Sequence, residues 1–405
     1  MNLPKIVLMM LYLASLAYGI FLTDIFRLPA PLVFCVPLVF FYRELHSRFR
    51  YSREVAWLCI AIFLYQVVGL NTMNSFFAMV ITIVCCALYF SYFVNNNARR
   101  FIWSVWIFYG LLFISSLVMV ANHFYPQVDN LRAIILGAPV MQSPAGISPT
   151  EFGYGYQLAA FAPFVLISTF LFNKSLLLKA AVFMLCLLFV FLGLQRSAFV
   201  GFVLAVLLFL FFYYGFRAIL LAGLMAALCV VFLNVSGGDM MMGTDNILNK
   251  NEHNDEASNR SDLAKENLRI YAEYPYGLIF YGKDWGDVIY RNYTFSAGIT
   301  SHNAYLMFIT YLGPFLGIGL LATIYLPLGK IVLKSFRKKH EPGQAMMLCL
   351  IFSFISVSVN ALSHNPWLFS ADGPTLFSFF AILHCYHLQK EAAGEESPIQ
   401  TLSYA

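Results

Sequence analysis

The chain has 405 residues, of which 60% are hydrophobic and 11% charged, with a formal net charge of +5. No soluble protein of this length can bury so much apolar surface, so lipid is the solvent for most of it. The basic residues fall in short segments between apolar runs, so the positive balance is not a signal for nucleic acid.

Apolar runs able to cross about 30 Å of hydrocarbon occur near residues 6–23, 29–42, 55–70, 75–94, 101–122, 154–172, 175–193, 198–214, 217–235, 303–334, 345–363 and 369–387. They predict an all-α fold, a polytopic integral membrane protein of about twelve transmembrane helices. The first run has no small-x-small cleavage site and many spans follow, so it reads as a retained helix rather than a signal peptide. The second run is short, and Asn173-Lys174 alone divides the sixth from the seventh. Gly313-Pro314 interrupts the long tenth run. Eight cysteines (35, 59, 85, 86, 186, 229, 349, 385) lie in or beside apolar runs with no metal-ligand spacing. Free thiols and no disulfide are expected.

The positive-inside rule orients the spans. With the N-terminus inside, the cytoplasmic segments hold Arg43, Arg48, Arg50 and Arg53, then Arg99 and Arg100, Lys174, Arg217, and finally Arg337, Lys338 and Lys339. The short outer segments hold little beyond Arg27 and Arg196. Both termini are then cytoplasmic, and two long loops, about 123–153 and 236–300, face the periplasm. The organisation expected is nine helices in 1–235, a large periplasmic loop with short helices over 236–301, and three helices with a cytoplasmic tail over 302–405. No internal repeat is visible.

Within the large loop, 236–257 is polar, rich in Gly and Asn and without apolar period, as in a lid or linker. From Arg260 the pattern changes. Leu263, Ala264, Leu268, Ile270 and Tyr271 recur at helical spacing, with Asn259 or Ser261 as N-cap, and Pro275 and Gly277 end the helix. Residues 276–300 are aromatic and glycine-rich, with Trp285, and read as a cover on the bilayer interface. The loop ends at His302, where the polar segment meets an apolar helix.

Three of these features form a pattern. Arg196 lies in Leu-Gln-Arg-Ser-Ala at the outer start of a span. Arg260 opens a helix that ends at Pro275, with Tyr-Gly following. His302-Asn303 is followed by nine residues and then Gly313. In this order, over roughly 190–320, they resemble the signatures of the O-antigen ligase and polymerase superfamily, whose twelve-span layout is also similar. One departure is that the second family glycine, three residues after the first, is Leu316 here, with Gly317 following.

The resemblance implies transfer of a glycan from undecaprenyl pyrophosphate to an acceptor sugar at the periplasmic face of the bacterial inner membrane. The family pattern implies inversion at the anomeric carbon. No metal, cofactor or nucleotide sugar is implied. O-antigen ligation to lipid A–core is the favoured expectation. The alternative is polymerisation of O-antigen, exopolysaccharide or capsule repeat units, with a lipid-linked glycan as acceptor. A lipid-linked glycan transporter is the distant alternative, since it would place charged or broken helices near mid-bilayer. The partners implied are the lipid-linked donor, the acceptor and membrane lipid.

The chemistry suits these residues. Arginine's planar fork binds phosphate oxygens bidentately, so Arg196 and Arg260 are candidate pyrophosphate ligands. Arg196 also fits a headgroup anchor, and Arg260 a solvated helix start. His302, with an ordinary pKa near 6.5, is the candidate catalytic group, as base toward the acceptor or as donor to the pyrophosphate. A plain helix cap is its other reading. Asn303, Arg132, Arg291 and His364 are further candidates for substrate contact. Arg132 fits a lipid headgroup equally, Arg269 and Arg291 balance an acidic loop, and His364 sits in a turn with Pro366 and Trp367. Glu151 reads as a solvated carboxylate. Gly153-Tyr154-Gly155-Tyr156 has no strand or lysine beside it and is not a phosphate loop.

Overall fold

The computed structural model describes residues 3–22, 28–44, 47–70, 72–236, 260–289, 303–341, 343–363, 368–369 and 373–392, with backbone alone for 233–236 and 260–264. In lipid every backbone N–H and C=O must be satisfied within the chain, so the apolar runs become helices. In chain order these are α1 (Leu3–Ala17), α2 (Ala30–Tyr42), α3 (Ser52–Ile62), α4 (Met73–Leu88), α5 (Ala98–Phe124), α6 (Val128–Leu136), α7 (Glu151–Phe172), α8 (Leu176–Leu192) and α9 (Arg196–Tyr214). They continue with α10 (Arg217–Ser236), α11 (Arg260–Glu273), α12 (Trp285–Ile289), α13 (Ala304–Arg337), α14 (Gln344–Asn360) and α15 (Gly373–Ala392). α3 and α4 each run on as π-helical turns, Phe63–Gly69 and Tyr89–Val94.

Among the described residues the fold is all-α, and seven helices are long and apolar enough to cross a membrane: α3 and α4 with their π-helical ends, α5, α7, α9, α13 and α14 with the turn that follows it. α1, α2, α8 and α10 are shorter apolar helices. α15 is long but more polar, with His384, His387, Lys390 and Glu391 toward its end. Large apolar side chains point outward, among them Phe216 (91% exposed) and Leu177 (81%). Such a surface is a liability in water and ordinary in lipid. This is the make-up of a multi-pass membrane protein.

α7 and α14 form the centre, and α14 packs against both α7 and α9. Aromatic stacking and hydroxyl pairs join the inner helices. The Tyr109 and Phe164 rings stack 3.5 Å apart, and Tyr109 Oη meets Ser353 Oγ at 2.8 Å and Ser378 Oγ at 3.2 Å. One end of the bundle is basic. There Arg50 pairs with Glu391 at 2.8 Å and Arg100 with Glu44 at 3.2 Å, tying the loop between α2 and α3 to the end of α15 and the start of α5. At the other end Gln157 of α7 donates to Ala17 O at 3.1 Å, and α9 and α13 begin there.

α13 departs most from the sequence expectation. As a straight rod its 34 residues would be about 51 Å long, far more than hydrocarbon requires. Gly313 instead takes φ 79°, ψ 159°, a conformation open essentially to glycine alone. Pro314, whose nitrogen carries no hydrogen that would need an acceptor, then starts a new helix. The two arms, 304–312 and 314–337, fold back on each other. Tyr305 Oη lies 3.1 Å from Tyr325 Oη, whereas twenty residues of straight helix would hold them about 30 Å apart. A methyl on Gly317 would sit 3.1 Å from Ile309 Cα. The expected interruption of a span is therefore a reversal, and 304–312 is a re-entrant arm.

Candidate functional site

Arg196 is the first residue of α9 and is half-buried. Gln195 before it is buried and donates from Nε2 to Glu151 Oε2 at 3.4 Å, at the first residue of α7. Gly155, one turn along α7, lets this crossing close, since a methyl there would lie 3.1 Å from Gln195 Oε1. Two helix N-termini thus meet beside Arg196. Their dipoles favour an anion, and the Glu151 carboxylate lies at this crossing. Ser197 Oγ donates to Asn360 Oδ1 at 2.8 Å, which fixes the start of α9 to the end of α14.

The re-entrant arm meets the same turn of α14. Tyr305 Oη donates to Ser358 O at 3.0 Å. Asn303 caps the arm, its Oδ1 accepting from the amides of Tyr305 and Leu306, each at 3.0 Å. From the loop, α11 lies against the arm. Tyr271 Oη donates to Leu306 O at 2.9 Å, and Thr310 Oγ1 lies 2.7 Å from the buried Asn267 Oδ1. Burial pushes the Tyr271 phenol up to about 12. After α11, Gly277 presses backbone to backbone on Gly313, and a methyl on either would overlap the other's chain. Tyr65, in the π-helical turn after α3, packs its ring on Phe308 and Tyr311, each at 5.7 Å.

The start of α9 and the re-entrant arm are thereby joined through the last turn of α14, with α11 docked on the arm. That geometry lies largely within one matched stretch. Residues 181–326 match the family described as O-antigen ligase. Over that stretch the chain is similar to the O-antigen ligase family. No curated protein matches the chain.

Arg196, the start of α11 at Arg260, Asn303 and the glycines Gly277, Gly313 and Gly317 all fall inside the O-antigen ligase match. The glycines now have physical roles. Gly277 and Gly313 allow loop and reversal to touch, and Gly317 admits the returning arm, so its displacement by one position suits the close approach at Ile309. Arg260 is placed by its backbone as the first residue of α11. His302, Arg291, His364 and the segment 237–259 lie outside the described residues.

Arg132 has a different setting. Its side chain is fully buried on α6, the short helix after α5. Nε donates to Gly146 O, Nη1 to Asn122 Oδ1 and Asp129 Oδ1, and Nη2 to Gln142 O and Ser148 O, at 2.6–3.2 Å. Burial pulls its pKa down while Asp129 opposes that pull. All five guanidinium hydrogens are engaged within the protein, leaving none for a phosphate. The 142–148 segment is wound around this group.

Sequence reasoning read Tyr271 only as an apolar position of the loop helix and passed over Asn267, Tyr305, Thr310 and Asn360. Asn360 carried a usable signal: an amide in an otherwise apolar run is costly in lipid unless it has a partner there.

Proposed function

We propose that this chain is a membrane glycosyltransferase that moves a glycan from undecaprenyl pyrophosphate to an acceptor sugar, with O-antigen ligation to lipid A–core as its reaction. The observation that carries the proposal is the meeting of α9 and the re-entrant arm on one turn of α14, within a stretch matching the O-antigen ligase family. In this reading the chain crosses the bacterial inner membrane twelve times. The basic end around Arg50 and Arg100 is cytoplasmic. The 236–301 loop, between the helical blocks 1–235 and 302–405, faces the periplasm.

The acceptor hydroxyl oxygen bonds to the anomeric carbon. The bond from that carbon to the pyrophosphate oxygen breaks, and undecaprenyl pyrophosphate leaves with the electron pair. Arg196 and Arg260 hold its oxygens, supplying at the leaving group the charge a metal would otherwise bring. His302 takes the hydroxyl proton as general base and releases it to solvent. Asn303 fixes the turn beside His302 rather than binding substrate through its capping oxygen.

The glycan profile of a deletion strain tests the proposal. Loss of long chains on lipid A–core, with lipid-linked polymer retained, is the expected result. Lipid A–core capped by single repeats would assign the chain to polymerisation instead, and an unchanged profile would refute both.

A further inference from the structure

The first turn of α9 has no side-chain cap of its own, since Gln195 turns instead to Glu151. What holds it is α14. At Gly201 the two helices touch so closely that a methyl would lie 2.6 Å from Ser356 O. One turn above, the Ser197 hydroxyl donates to Oδ1 of the fully buried Asn360. Two residues from Asn360, the Ser358 carbonyl receives Tyr305 of the re-entrant arm. Residues 356–360 thus set both the direction of α9's first turn and its spacing from the arm. This turn lies beyond residue 326, outside the family match.

We infer that Asn360 is a positioning residue: through Ser197 it holds the backbone of Arg196 where the guanidinium fork meets a pyrophosphate. The inference rests on the reading of Arg196 given above. A long side chain such as arginine's loses much rotamer freedom on binding. A fixed starting point limits the orientations it must search.

The test is binding of undecaprenyl pyrophosphate, and of undecaprenyl monophosphate as comparison, to the full chain in lipid nanodiscs. The variants are Arg196→Ala, Ser197→Ala, Ser197→Thr, Asn360→Leu and the Ser197→Ala/Asn360→Leu pair. Loss of one hydrogen bond should weaken pyrophosphate binding roughly five- to tenfold in Ser197→Ala and in Asn360→Leu. The preference over monophosphate should fall in parallel, with the melting temperature of Ser197→Ala lowered by only a few degrees. The pair should bind no worse than the weaker single variant, because both remove the same contact. Threonine keeps the hydroxyl and should restore binding. If Arg196→Ala abolishes binding while Ser197→Ala and Asn360→Leu bind like wild type, the positioning role is overturned. Additive losses in the pair overturn it too. Wild-type binding by Arg196→Ala would instead remove the reading of Arg196 itself, and this inference with it.

Discussion

Replacing Gly313 by alanine tests the reversal in α13. At φ 79°, ψ 159° an L-residue is strained, at roughly 1–3 kcal/mol. The added methyl would also fall on the Tyr276 carbonyl and lie 2.8 Å from the Gly277 nitrogen, both backbone atoms that cannot rotate away. Overpacking of this kind costs about 1–3 kcal/mol, so the sum is about 2–6 kcal/mol against the folded-back arm. Gly319 is the internal control. It lies on the second arm of the same helix with nothing within 4 Å of a methyl, where alanine gains up to about 1 kcal/mol of helix propensity. Thermal unfolding in detergent and glycan transfer should be measured for both. Gly313→Ala should melt lower and lose transfer, while Gly319→Ala should match wild type or exceed it. If the two variants melted and transferred alike, the backbone contact between loop and reversal would not be holding the arm.

Three further outcomes are expected. Arg132→Leu strips the donors from Gly146 O, Ser148 O, Gln142 O, Asn122 and Asp129. Breaking so buried a charge network should cost about 3–5 kcal/mol, read as a lower melting temperature, and an unshifted melt would show that the loop does not depend on it. Tyr271 has its folded pKa raised from the usual 10 to about 12, so its contribution is complete below pH 10 and disappears as pH climbs to 12. The stability advantage of wild type over Tyr271→Phe should therefore vanish across that window, and an advantage persisting at pH 12 would contradict the docking contact to Leu306. His302→Ala should lose roughly 10²–10⁴-fold in rate with donor affinity intact if the imidazole is the base. Affinity and rate falling together would make it a donor to the pyrophosphate, and wild-type values for both would remove it from the chemistry.

The helices were legible because lipid leaves an apolar run little choice of conformation. The run at 154–172 becomes Glu151–Phe172, and that at 198–214 becomes Arg196–Tyr214. Capping residues that hydropathy ignores set these starts, as Thr150 does by accepting from Gly153 N. The break at Gly313-Pro314 was visible too, but not its consequence. A glycine and a proline permit a kink, a straight continuation or a reversal. The choice here depends on Gly277 and Ile309, contacts that composition does not encode. Within the site, Arg196 announced itself as a charge between two apolar runs. Tyr305 and Asn360 did not, because their meaning lies in partners more than fifty and one hundred and sixty residues away in sequence. Arg132 shows the converse. Its position in an outer loop suggested substrate or headgroup, and only the fold reveals that its own loop occupies all its donors.

The shortness of α2 has a mechanical consequence. Its thirteen residues, Ala30–Tyr42, rise only about 20 Å, against about 30 Å of hydrocarbon. Phe40 and Phe41 turn outward there, 75% and 80% exposed. If α2 crosses the membrane, as the proposed twelve-span reading has it, lipids along this flank must thin or tilt to meet the helix ends, at fractions of a kcal/mol per ångström. The protein therefore deforms its bilayer on one side. Membranes of shorter acyl chains relieve that deformation, and membranes of longer chains load it onto the helices around α2. Bilayer thickness becomes a variable to which this chain is mechanically coupled, independent of any substrate.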